Sequence, residues 1–82
     1  MELTQKQLEK VRKHFRLSPR QAEVANLLFR GRISTKEIAK ELKVTPGVTR
    51  QYIYQIHTKM RTESKGQVII KILDYIIENN IL

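Results

Sequence analysis

Residues 34–61 read STKEIAKELKVTPGVTRQYIYQIHTKMR, and within them two helix starts follow one another with almost no chain between. Ser34 with Glu37 three residues later has the form of a capping box, and Ile38, Ala39 and Leu42 then recur on one side of a short helix that ends near Leu42 or Lys43. Thr45-Pro46 repeats the start, with a hydroxyl to cap and a proline suited to the first helical position. That second cap comes three residues after Leu42, which leaves room only for a tight turn, so the two elements form a helix-turn-helix. The second helix is predicted over Pro46 to about Arg61. Steps of 100° place Thr49, Ile53, Ile56 and Met60 in one narrow, core-facing sector. On the other side lie Gly47, Arg50, Gln51, Tyr54, Thr58 and Arg61, a stripe of long donors with one aromatic, which suits the reading of base edges.

The flanks extend the same grammar. Ser18-Pro19-Arg20-Gln21 predicts a helix from Pro19 to about Arg30, with Val24, Leu27 and Leu28 on one face and Gly31 as its stop. Ser64 with Gln67 opens a last helix from Lys65 to about Asn79. It carries Val68, Ile69, Ile70, Ile72, Leu73, Tyr75, Ile76 and Ile77, an apolar arc too wide for one contact. One side is expected to cover the core and the remainder, with Ile72, Ile76 and Ile77, to meet the same helix of a second subunit in a homodimer. Ahead of these, Thr4 to Phe15 has the pattern of an extra helix with Leu8, Val11 and Phe15 on one face and Lys6, Lys10, Arg12 and Lys13 elsewhere.

Composition narrows the function. The 82 residues suffice for one modest core, and the 16 Lys and Arg against 8 Asp and Glu give a net charge of +8, which calls for a polyanionic partner, nucleic acid first. No apolar run is longer than three residues, the length of Val68-Ile69-Ile70 and far short of the roughly 20 residues of a spanning helix, and the N-terminus lacks the apolar segment of a secretion signal. A cytoplasmic protein without a membrane contact is expected. With no Cys and only His14 and His57, neither a metal site nor any other cofactor is expected. The acids Glu23, Glu37, Glu41, Glu63, Asp74 and Glu78 form no motif of paired carboxylates, and no phosphate loop or activated nucleophile accompanies them, so no catalytic residue is assigned.

The segments Leu17-Ser18-Pro19-Arg20-Gln21-Ala22-Glu23-Val24, Lys36-Glu37-Ile38-Ala39-Lys40-Glu41-Leu42 and Ile56-His57-Thr58-Lys59-Met60, in this order, closely resemble the LuxR/GerE-type helix-turn-helix domain in its stand-alone form, over about Leu17 to Leu73. The resemblance implies an all-α fold of four helices, to which the N-terminal segment adds a fifth, with a basic extension over 1–16 and the DNA-binding domain over 17–82. It implies that the third helix reads operator DNA, that the fourth dimerises and that the protein regulates bacterial transcription. By position it assigns base contacts to Arg50, Gln51 and Tyr54 and backbone contacts to Lys36, Thr45 and Lys59. The chain departs from the family pattern in having Val48 before Thr49 where Thr and then an apolar residue is usual. It also has Tyr52 where His is common, and a loop after Gly31 one residue longer. Region four of a sigma factor looks similar too. A reading of another class takes the last helix as a protein-interaction module that grips RNA polymerase or another regulator through Ile72, Ile76 and Ile77.

Overall fold

Each of the five helices in the computed structural model, which describes residues 2–32 and 34–80, begins on a hydroxyl side chain that accepts a hydrogen bond from the backbone N–H three residues on. Thr4, Ser18, Ser34, Thr45 and Ser64 cap α1 (Gln5–Phe15), α2 (Pro19–Phe29), α3 (Thr35–Leu42), α4 (Pro46–Met60) and α5 (Lys65–Glu78). An N-cap of this kind contributes about 1 kcal/mol by satisfying an N–H that the helix itself cannot. The reciprocal half of the box is made in α1 by Gln7 and in α2 by Gln21. In α3 it is not. Ser34 is 3.5 Å from the Glu37 N–H, and the Glu37 carboxylate turns instead toward Arg32 at 3.8 Å, drawn by the charge. In α5, Gln67 accepts from the N–H of Glu63, one residue before the cap.

The helix ends lie within a residue of the expected ones, but the way three of them close was not foreseen. Gly31 stops α2 with a positive φ of 98°, and the Arg32 N–H reaches back to the Leu27 carbonyl. The same closure ends α1, α3 and α4, but there Arg16, Lys43 and Arg61 occupy the left-handed region. Side chains are disfavoured in that region by about 1–2 kcal/mol. The offset is local. The next N–H, on Leu17, Val44 and Thr62, bonds the carbonyl of Arg12, Ala39 and His57, and Leu17 and Thr62 are buried. A glycine-based reading of stops therefore sees one of the four.

α2 is the central element, packed against α1, α4 and α5, while α3 packs on α4. Beyond the expected Val24, Leu27 and Leu28, it also buries Ala22, Ala25 and Phe29, and the alanines let neighbouring helices approach on more than one side. Ile38 of α3, Ile53, Ile56 and Met60 of α4, and Val68, Ile72 and Ile76 of α5 complete one core. The N-terminal helix docks. Val11 and Leu3 belong to the same core as the helices that follow. The end of α1 also covers a flank of α5: the His14 ring stacks on Tyr75 at 4.1 Å, and Phe15 meets the same ring edge-on at 5.8 Å.

That packing corrects the reading of α5. Ile72 and Ile76, expected to face a second subunit or a foreign protein, are 0 % and 3 % exposed and belong to the monomer core. The helix turns its Val68-Ile72-Ile76 row inward, because those residues recur at four-residue spacing and meet α2. Only Ile77 of the three remains outside, at 55 %, together with Ile70 at 58 % and the half-buried Leu73.

Candidate nucleic-acid interface

α4 is held on its inner side and offered on its outer one. Thr49, Ile53, Ile56 and Met60 are all buried, the sector its sequence defines, and α2 and α3 provide the seat. The buried Thr49 hydroxyl is satisfied within the helix by donating to the Thr45 carbonyl at 3.1 Å. Thr45 in turn accepts from the Val48 N–H at 3.1 Å, which leaves its hydroxyl proton to donate outward. The far end is tied as well. Thr62 donates its N–H to the His57 carbonyl at 3.0 Å and its hydroxyl meets His57 Nδ1 at 2.8 Å, while Lys71 of α5 donates to the Met60 carbonyl at 2.6 Å. A cation at a helix C-terminus complements the helix dipole there.

Opposite this seat, Arg50, Gln51, Tyr54, Thr58 and Arg61 are exposed, Tyr54 at 73 %. Gly47, in the first turn, is equally bare: a Cβ built there would meet the Thr45 hydroxyl at 3.8 Å and an Arg50 guanidinium nitrogen at 4.0 Å, both ordinary contacts. The fold does not require glycine here. Its absence of a side chain leaves the N-terminal backbone of α4 open to close approach by an outside body, and helix N-termini favour anions.

The three backbone-contact candidates sit differently. Lys36 lies exposed in the first turn of α3, and Thr45 is at the turn into α4. Lys59 is exposed but engaged: its ammonium donates to Gln21 Oε1 at 2.8 Å. Gln21 is the residue sequence reasoning assigned only to capping. At 6 % exposure it forms a hub, accepting from the Ser18 N–H at 2.9 Å through the same oxygen and donating through Nε2 to Gln55 Oε1 at 2.8 Å. The hub pins the α2 N-terminus to the middle of α4. Gln55, exposed and likewise passed over, stands one turn from both Gln51 and Lys59, and the four-residue spacing 51, 55, 59 carried the hint.

Among the described residues no helix is long and apolar enough to cross a membrane, and no three His, Cys, Asp or Glu side chains gather to hold a metal.

Compared with known proteins, residues 16–72 match the GerE family model, described as bacterial regulatory proteins of the luxR family. The match spans α2 to most of α5 and leaves α1 outside it. Neither a curated protein nor a solved structure matches the chain.

Proposed function

The chain belongs to the luxR family of bacterial regulatory proteins, a family of DNA-binding transcription regulators, and from that premise we propose that it is a sequence-specific regulator that binds duplex DNA as a homodimer with α4 in the major groove. One observation carries the reading. A helix entered by a tight turn buries one side completely and exposes Arg50, Gln51 and Tyr54 on the other. The major groove is about 12 Å wide and admits such a helix. Arg50 suits the two acceptors of guanine, N7 and O6, and Gln51 the paired acceptor and donor of adenine. Tyr54 lays its ring against a thymine methyl or a sugar and offers its hydroxyl to a base or phosphate.

Lys36, Thr45 and Lys59 hold the register by contacts to phosphates, which carry no sequence information themselves. The net charge of +8 supplies the salt-sensitive part of the affinity through release of counterions. Dimerisation runs through the outer stripe of α5, Ile70, Leu73 and Ile77, whose spacing of three and four residues puts them on one side of the helix. A twofold contact through one helix is self-complementary, so two copies present two α4 helices to two half-sites.

Selection of the purified protein against a random duplex library at near-physiological salt tests this reading. A pseudo-palindromic site is the expected product. Recovery of no preferred sequence rejects specific recognition by this chain.

A further inference from the structure

At the hub around Gln21 the directions of all the hydrogen bonds can be deduced, those between the two amides included. The Ser18 backbone N–H can only donate, so the Gln21 atom 2.9 Å from it must be the amide oxygen. Lys59, also only a donor, meets that same oxygen at 2.8 Å, which uses its second lone pair. The Gln21 nitrogen is therefore the atom that faces Gln55, and it must donate, so Gln55 must answer with Oε1, at 2.8 Å. The direction that is ordinarily a matter of assignment for an amide is here imposed through two residues by one backbone group.

The consequence lies at the surface. With Oε1 turned to Gln21, the exposed Gln55 has its NH2 group left to point away from α2, a donor with two hydrogens. Lys59, one helical turn further on, spends one of its three N–H bonds on Gln21 and keeps the others. Both groups sit on the ridge that begins at Gln51, so the edge of α4 nearest α2 presents donors and no competing acceptor from this hub.

Resting on the assignment of α4 as the DNA-facing helix, we infer that Gln55 and Lys59 together grip a phosphate of the DNA backbone, and that Gln21 is a positioning residue that never touches DNA but sets which face of the Gln55 amide meets it. Gln21 does this from a buried site, where water cannot compete for its bonds. The grip is blind to base identity, since a phosphate is the same at every step.

The test is a double-mutant cycle on a duplex the protein binds, read beside a random duplex and a thermal melt. Gln55→Met removes the outward donor and is expected to weaken binding about tenfold on both duplexes, as loss of a hydrogen bond to a charged group does. The dependence of log affinity on log salt should keep its slope, because a neutral side chain releases no counterion. Lys59→Met should lower the slope by about 0.9. Gln21→Glu is the decisive change. A capping box accepts either residue, and the carboxylate still accepts from Ser18 and Lys59, so the melting temperature should hold. It cannot donate, so the Gln55 amide must turn round and present its oxygen to the phosphate. Binding should fall about as far as in Gln55→Met, and Gln21→Glu should add nothing when Gln55→Met is already present. Additive losses, or full affinity in Gln55→Met, overturn the inference while leaving the regulator reading intact. Failure of the unaltered protein to bind any duplex sinks both.

Discussion

α4 and α5 are nearly equal in length, 15 and 14 residues, and are built alike on their inner sides. Thr49, Ile53, Ile56 and Met60 in one, and Val68, Ile72 and Ile76 in the other, occupy the same helical rows and meet the same α2. Their outer sides could hardly differ more. α4 turns out Arg50, Gln51, Tyr54 and Gln55, and α5 turns out Ile70 and Ile77 beside a half-buried Leu73. Folding is satisfied by either choice, since the inner row does the packing in both. What the outer row holds is therefore free to serve a partner, and the proposed function assigns the donors of α4 to a polyanion and the aliphatic surface of α5 to a second copy.

Substitutions along the two helices should separate the rows. The largest effect is expected from Ile72→Ala, which empties a fully buried site and should cost about 2–5 kcal/mol of stability by chemical denaturation. A loss below about 0.5 kcal/mol, the size of an ordinary surface change, would mean the inner row of α5 is not core. Ile77→Glu probes the outer row of the same helix. It should leave the unfolding midpoint of the monomer almost unchanged and weaken self-association by about 3 kcal/mol, counting the apolar burial lost from both copies. Sedimentation over a concentration series reads it, and an unchanged oligomeric state sends the dimer contact elsewhere.

On α4, Arg50→Ala should cost about 1–3 kcal/mol of binding and relax preference at a single base pair, with no change in melting. Competition binding against single-base variants of the selected site shows whether the loss is confined in that way. The smallest effect joins the two helices. Lys71→Met removes the α5 cation from the Met60 carbonyl and should lower stability by about 0.5–1 kcal/mol while DNA affinity holds. A matching loss of affinity would show that the end of α4 is part of the interface rather than its support.

Much of this was legible beforehand because it rests on local chemistry. The caps at Ser18, Ser34, Thr45 and Ser64 stand at the expected positions, and the α4 core sector follows from a period of 3.6 residues. Arg50, Gln51 and Tyr54 are legible as exposed for the same reason, being the remainder of that sector. The ends of α1, α3 and α4 fall where they were expected, but the left-handed conformation of Arg16, Lys43 and Arg61 was not legible, because a left-handed arginine or lysine has no compositional mark and is retained by bonds from the residue that follows. Nor was the docking of α1, whose His14 and Phe15 meet Tyr75 some sixty positions away along the chain.

The sequence by itself determined the number of helices, the tight turn before α4, the charge that selects a polyanion and the family pattern shared by residues 16–72. Each of these depends on residues within a few positions of one another, or on a sum over all of them. Only the tertiary structure decided which side of an apolar helix is core. The α5 arc is wide enough to face several ways, and contact with α2 turns Ile72 and Ile76 inward and leaves Ile70 and Ile77 out. It likewise decided the direction of the Gln55 amide, through bonds from Gln21 that span 34 positions in the chain. A hydrogen bond between distant residues exists only once packing has brought them together and excluded the water that would otherwise satisfy them.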